Sequence, residues 1–246
     1  MIICVMVAAY DRKSRGLDSE VIWDLAIYGI ISGVIGARIY YVVFSWSYYS
    51  KNPGEILNVR NGGLAIYGGV IAGFLAVFIY SKVKKESFPE LFDSVALVFP
   101  IGQALGRWGN FFNREAFGDY SDGLFAMRLP IEAVRISDIS EKMLSNMGVA
   151  DYIDVHPAFL YESVWNLLLF IGLFLYRKKK RFSGEIFFLY LFFYGLGRFF
   201  IEGLRTDQLR IAGTALPVSR VVAVLCMVIA GVALIGYKRF YGKREG

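Results

Sequence analysis

Residues 157–183 read PAFLYESVWNLLLFIGLFLYRKKKRFS, twenty mostly apolar residues that stop at the basic run Arg177 to Arg181. A helix of that length rises about 30 Å, the thickness of a bilayer's hydrocarbon core. The stretch predicts a membrane-crossing helix with a cationic end, and the rest of the chain repeats the pattern. Of 246 residues, 56% are hydrophobic and 20% charged, and the mean hydropathy is +0.48. Soluble domains run near 45–50% apolar and about 25% charged. The composition excludes an ordinary soluble enzyme, a disordered chain and a fibre.

Seven apolar segments follow one another: 1–10, 21–44, 62–80, 89–106, 157–176, 184–203 and 215–237. Six are long enough to span. Met1 to Tyr10 is ten residues, too short for a crossing, and reads as the inner half of a helix whose outer half is missing. The connections alternate in charge. Stretches 11–20, 81–88, 177–183 and 238–246 hold 15 Lys and Arg in 34 residues, whereas 45–61, 107–156 and 204–214 hold 9 in 78. The positive-inside rule puts the first set, and with it the carboxyl terminus, in the cytoplasm. The net charge of +6 therefore reports topology and gives no reason to invoke nucleic acid. The expected fold is all-α: one integral membrane domain over 1–246, a bundle of six complete spans plus the truncated first helix, with 107–156 as a small extracytoplasmic insertion. Cys4 and Cys226 sit inside apolar runs and read as small packing residues.

Several boundaries carry local chemistry. Pro89 and Pro157 open their segments, where a missing N–H is no loss. Asp24 and Asp93 are expected in first turns, facing the positive end of the helix dipole. The glycines of Gly62-Gly63 and Gly68-Gly69 suit close helix approach, or backbone that must bend or approach a ligand.

Three arginines lie within the spans, Arg38, Arg198 and Arg220, with Arg107 and Arg205 at span ends. Under the topology above, all five fall at the outer level. A charge at the centre of a bilayer costs about 2.5–3.5 kcal/mol on insertion scales, so such residues normally face an interior cavity. For Arg220, snorkelling to the headgroups is an equal reading. The guanidinium fork matches phosphate oxygens, which points to an anionic phospholipid headgroup. Tyr67, His156, Tyr161 and Glu162 fall at the same level. Glu202 follows Arg198 by four residues, on one helix face, and is expected to orient it. His156, the one histidine of the chain, reads either as an interfacial or capping residue ahead of Pro157 or as part of the site.

The densest polar stretch is Gly106-Arg107-Trp108-Gly109-Asn110-Phe111-Phe112-Asn113-Arg114-Glu115-Ala116-Phe117-Gly118. Two arginines, two asparagines and a glutamate alternate with aromatics, a composition suited to the wall of an amphipathic pocket. The stretch resembles the signature G-R-x-G-N-F-x-N-x-E-x-x-G of the bacterial prolipoprotein diacylglyceryl transferases and matches it at every fixed position. Further similarity runs through Gly36-Ala37-Arg38 with Tyr40-Tyr41, the two Gly-Gly pairs, His156-Pro157 with Leu160-Tyr161-Glu162, and Gly197-Arg198 with Glu202, Arg205, Thr206 and Asp207.

The resemblance implies a seven-helix enzyme of the bacterial cytoplasmic membrane with its active site toward the outer leaflet. It implies transfer of diacylglyceryl from phosphatidylglycerol to the lipobox cysteine thiol of prolipoproteins, with release of glycerol-1-phosphate. Carried over by position, it makes Arg107 and Arg198 essential and Asn110, Asn113, Glu115 and Gly118 signature positions. The expected catalytic residues are Arg107, Arg198 and Tyr67. The expected substrate-binding residues are Arg107, Asn110, Asn113, Glu115, Gly118, Arg38, Glu202, Arg205, His156, Tyr161 and Glu162. Two departures stand out. The family's first helix begins well upstream and carries an aromatic near its outer end, and Tyr67 stands where some members have a histidine proposed as a base. A phenol, with an ordinary pKa near 10, is expected to donate a hydrogen bond or relay a proton. The sequence implies no metal, nucleotide or organic cofactor. Two alternatives remain at this level: a family member that is truncated or has lost catalysis, and an anionic lipid or solute transporter, although neither internal repeats nor midplane charges are evident.

Overall fold

A computed structural model describes residues 1–60, 62–147 and 151–241, with side chains as far as 237. Residues 242–246 of the basic carboxyl-terminal stretch lie outside the described residues. The chain is mostly helical and divides into two compact units, Met1–Val95 and Ala96–Gly246. Among the described residues, four helices are long and apolar enough to cross a membrane: Glu20–Phe44, Ile66–Lys84, Ala158–Lys179 and Val218–Tyr237.

The first unit holds α1 (Ile2–Ser14), α2 (Glu20–Phe44), the short α3 (Trp46–Tyr49), α4 (Ile66–Lys84) and the first turns of α5 (Phe88–Asn113). Helices α2 and α4 meet through glycines. A Cβ on Gly36 would stand 2.7 Å from the Gly68 carbonyl oxygen, and one on Gly68 would strike the Gly36 carbonyl in return. Of the two roles open to these glycines, close helix approach thus applies to Gly68. Gly62 and Gly63 serve the other, with φ of 85° and 76°, and for that reason α4 begins at Ile66 and not at 62. Such bends suit glycine because a Cβ disfavours positive φ.

Helix α1 runs on into the stretch that charge alone marks as a connection, because its cations find partners. Arg12 lies 3.1 Å from Glu86, and Arg15 lies 2.7 Å from Asp11 and also pairs with Glu90. Asp24 corrects the dipole expectation: it sits past the first turn of α2 and accepts a 2.9 Å hydrogen bond from the Tyr80 hydroxyl.

The second unit contains the remainder of α5, α7 (Ala158–Tyr176), α8 (Glu185–Glu202) and α9 (Val218–Tyr241). Leu97, Leu169, Leu173, Ile186 and Tyr190 form its interhelical core. Helices α8 and α9 touch at Gly195, where a Cβ would stand 2.8 Å from the Ala223 carbonyl oxygen. Helix α5 continues to Asn113, so residues 107–113 are helical and the intervening segment starts later than its charge pattern indicates.

That segment corrects the all-α expectation. It carries a two-stranded antiparallel ribbon of β1 (Met127–Pro130) and β2 (Tyr152–Val155), with Leu129 opposite Ile153, together with the one-turn α6 (Glu141–Ser145). The strands alternate: Leu129, Ile153 and Val155 join Phe117 and Met143 in a small core, while Arg128 and Asp154 pair on the other face at 2.9 Å. Period-two alternation over four residues is a strand signal that a reading tuned to long apolar runs passes over.

The α2–α4 contact can be tested by crowding it. Gly68→Leu should destabilise the protein by about 1–3 kcal/mol or more, as overpacking of a tight interface does. Gly73→Leu, where a Cβ meets nothing within 4 Å, should leave thermal unfolding in detergent near the wild-type midpoint. Equal midpoints for the two variants would remove the contact from the account of stability.

Candidate functional site

The site is built where the carboxyl end of α5, the amino end of α7 and the carboxyl end of α8 come together. Its centre is Glu162, in the second turn of α7 and only 3% exposed. One carboxylate oxygen lies 2.6 Å from Arg107 of α5, and the other 2.7 Å from Arg198 of α8 and 3.8 Å from Arg205. Arg198 in turn lies 2.6 Å from Glu202, the i,i+4 pair anticipated from the sequence. Arg205 forms a two-point pair with Asp207 at 2.8 and 2.6 Å. Three guanidinium groups therefore face three carboxylates, and the charges balance locally. Burial opposes the charge on Asp207, but the hydrogen bonds and positive charge of Arg205 outweigh it and hold this carboxyl below the ordinary carboxylate range.

The signature stretch extends the network by folding back on itself. Past Asn113 the chain reverses through Arg114 and Ala116, with φ of 54° and 58°. Glu115 thereby returns toward the last turn of α5 and donates its backbone N–H to the Asn110 carbonyl at 3.0 Å. Its carboxylate accepts from the amides of Asn110 at 3.1 Å and Asn113 at 3.2 Å. Asn110 accepts in turn from Arg107 at 3.3 Å. A continuous polar chain thus runs from Asn113 through Glu115, Asn110, Arg107, Glu162 and Arg198 to Glu202.

Gly118 acts through its backbone. It donates to the His156 carbonyl at 2.9 Å and forms an antiparallel bridge with Arg205. A Cβ there would stand 2.7 Å from His156 Cβ and 2.9 Å from the Leu204 carbonyl oxygen, so a side chain would crowd His156 and the backbone at Leu204. His156 Nδ1 lies 3.2 Å from the Tyr161 hydroxyl.

Eleven of the thirteen predicted site residues thus lie in one unit, most of them in one network. Arg38 and Tyr67 belong to the other. Tyr67 is in the first turn of α4 and 49% exposed. Arg38 is buried, and its partners are backbone carbonyls. Of the two readings of Arg220, neither describes it fully: its Nε donates to the Phe199 carbonyl at 3.2 Å and its guanidinium lies 5.2 Å from the Phe199 ring centroid, tying α9 to α8.

Glu162 takes the centre of the network, and Arg135 and Asn166 join it although no motif marks them. Arg135 reaches Glu115 at 3.4 Å. Asn166, one turn below Glu162 and buried, donates to the Glu162 carbonyl at 2.8 Å. Glu162 had a signal: it is the one acid in the apolar run 157–176, and such a residue implies cationic partners.

Below the network, an apolar groove of about 670 Å³ runs between α7 and α8 past Tyr161, Trp165, Leu168, Phe200 and Leu204. A second hollow of about 510 Å³ shares Trp165 and Leu168 and continues past Gly172 to Tyr176. Tyr161 and Leu204, which line the first hollow, are sequence neighbours of Glu162 and Arg205 in the charged network, so apolar surface and charge adjoin in a form suited to an amphiphile with an anionic head.

The family model for prolipoprotein diacylglyceryl transferase matches residues 1–237. A protein of Clostridioides difficile named phosphatidylglycerol–prolipoprotein diacylglyceryl transferase is 45% identical over 210 residues, covering 85% of this chain and 76% of its own. Proteins of the same name from Listeria welshimeri and Clostridium novyi are each 42% identical, over 239 and 235 residues, covering 97% and 95% of this chain and 82% and 86% of their own.

Removing one member of a buried ion pair typically costs 3–5 kcal/mol, because the remaining charge is left uncompensated. Glu162→Gln should therefore lower stability by about that amount, read as a fall in the unfolding midpoint in detergent. Glu202→Gln should cost less, since Arg198 would retain Glu162.

Proposed function

The chain belongs to the prolipoprotein diacylglyceryl transferase family, and from that premise we propose that the Glu162 network receives the phosphate of phosphatidylglycerol during transfer to a prolipoprotein thiol. The enzyme is a transferase of lipoprotein biosynthesis in a membrane. In the reaction, the lipobox cysteine sulfur attacks the glycerol carbon that carries the phosphate. A C–S bond forms, the C–O bond breaks, glycerol-1-phosphate leaves with the bonding pair, and the thiol proton passes to an acceptor.

The observation that carries this reading is the suspension of Arg107 and Arg198 from one buried carboxylate at the head of an apolar groove. Each guanidinium has five N–H bonds, and the pairings with Glu162, Asn110 and Glu202 leave part of each fork free for phosphate oxygens. Because the acids hold the arginines in place beforehand, the developing charge on the leaving phosphate meets donors that need no reorganisation. The same positive field favours the thiolate of the incoming cysteine, whose ordinary pKa is about 8.5. Asn110, Asn113 and Glu115 orient Arg107, and Gly118, His156 and Tyr161 shape the rim beside Arg205. An acyl chain of the lipid lies in the α7–α8 groove.

The topology belongs to the same proposal. Helices α2, α4, α5, α7, α8 and α9 cross the bilayer, the carboxyl terminus is cytoplasmic, and the Glu162 network opens toward the outer leaflet. The bias of Lys and Arg between alternate connections supports this orientation. Helices α5 and α8 carry more charge than a simple span, and their ionic residues include Arg107, Arg198 and Glu202, which are paired at the site.

In membranes supplied with labelled phosphatidylglycerol and a lipobox peptide, Arg107→Lys and Arg198→Lys should each lose roughly 10²–10³ in rate, as for loss of a charge-stabilising donor. Near-normal turnover in both would sink the phosphate assignment. The groove has a separate test at Gly172, where a Cβ meets nothing within 4 Å. Gly172→Phe should fold normally, fill the lower hollow, and raise KM for long-chain more than for short-chain phosphatidylglycerol. An unchanged chain-length preference would take the acyl chain out of this groove.

A further inference from the structure

Arg38 lies in α2, is 7% exposed, and belongs to the first unit. A guanidinium has five N–H bonds and accepts none. All five are engaged by the backbone of a single connection, the stretch between α3 and α4. Nε donates to Ile56 at 2.8 Å, Nη1 to Gly62 at 3.0 Å and Gly63 at 2.9 Å, and Nη2 to Glu55 at 2.6 Å and Asn58 at 2.9 Å. The Tyr49 ring lies beside the same group, with its centroid 5.2 Å away. The five hydrogen-bond partners are thus carbonyl dipoles, and no N–H remains for a phosphate.

We propose that Arg38 is a positioning residue, the fixed cation around which residues 55–60 and 62–63 are folded, and not a ligand of the lipid headgroup. The connection is shaped to surround it. Gly62 and Gly63 turn through positive φ and so present consecutive carbonyls to one nitrogen. A Cβ on Gly63 would strike Arg38 Nη1 and stand 2.9 Å from the Tyr41 ring. Immediately afterward Ala65 donates its N–H to the Ala37 carbonyl at 3.0 Å, and α4 starts one residue later with Ile66 and Tyr67. Arg38 thereby sets where α4 begins and how Tyr67 is presented. Lysine cannot replace it: an ammonium has three N–H bonds on a compact centre, whereas the planar fork reaches five acceptors in different directions. The effect on turnover rests on the transferase reading. The effect on the connection does not.

Lys51 and Arg60 are exposed tryptic sites within the connection. In lipid-free detergent micelles, Arg38→Ala and Arg38→Lys should be cleaved at these two sites about tenfold or more faster than wild type, since proteolysis follows local opening. Cleavage in the 177–181 run should not change. Added guanidinium ion should restore resistance to Arg38→Ala without any phosphatidylglycerol present. Gly63→Ala, which keeps Arg38 but crowds its nitrogen, should reproduce the rapid cleavage. In the transferase assay, Arg38→Lys should lower kcat while KM for phosphatidylglycerol stays within about twofold, the pattern of a residue that does not bind substrate. Wild-type resistance in both Arg38→Ala and Gly63→Ala would overturn the proposal. So would protection that appears only when phosphatidylglycerol is added, or a KM raised about tenfold at constant kcat. Absence of turnover in the wild type would count against the transferase reading alone, because the proteolysis needs no substrate.

Discussion

A guanidinium at the mouth of an apolar helix bundle is costly unless a counter-charge accompanies it, and the second unit is arranged around that requirement. Glu162 is the common partner of Arg107 and Arg198. It brings the ends of α5, α7 and α8 to one point, and the other pairs follow from it. Arg198 needs a second acid because Glu162 is shared, and Glu202 stands one turn away on the same face. Arg205, on the edge of the cluster, has its own acid in Asp207. The cost of burying charge is met by close geometry, which fixes the cations in place.

The bundle beneath obeys a different constraint. In lipid, apolar side chains gain little by facing one another, so helix contacts rely on close approach and on polar ties. Gly36 with Gly68, and Gly195 with Ala223, supply close approach. Ser163 donating to the Ala104 carbonyl at 3.0 Å and Trp165 donating to the Phe193 carbonyl at 3.0 Å supply ties on either side of α7. Where such contacts end, between α7 and α8, the surface opens into the groove. Tight packing in one place and a channel in another come from the same economy of small and large residues.

Arginine does two kinds of work in this molecule. At the Glu162 network the arginines are paired with acids and keep part of their forks free, a state suited to receiving an anion. Among the described residues the hydrogen-bond partners of Arg38 are five carbonyls, which engage all of its N–H bonds, a state suited to holding backbone. Residue type and depth in the helix are alike for Arg38 and Arg198, which is why the sequence reading grouped them. Only the identity of their acceptors separates them.

Among the described residues, each of the seven apolar runs lies mainly within a helix, with bounds shifted where α1 runs on to Ser14, α4 starts at Ile66 and α5 ends at Asn113, because span length and hydropathy act over twenty residues at a time. The signature from Gly106 to Gly118 and the Arg198–Glu202 spacing were also legible, since a motif and a helical i,i+4 relation are local properties. The ribbon of β1 and β2 was not: four-residue strands give a weak periodic signal, and their pairing is set by a contact across a long connection. Nor could the sequence reveal that Glu162 is shared between two helices, that Gly118 leaves room for His156 and the Leu204 carbonyl, or that the backbone of one loop consumes every donor of Arg38. Those depend on which groups meet after the helices pack. By itself the sequence determined which residues are too costly to bury alone, and the tertiary structure decided their partners, because ion pairs and hydrogen bonds act only over a few ångströms.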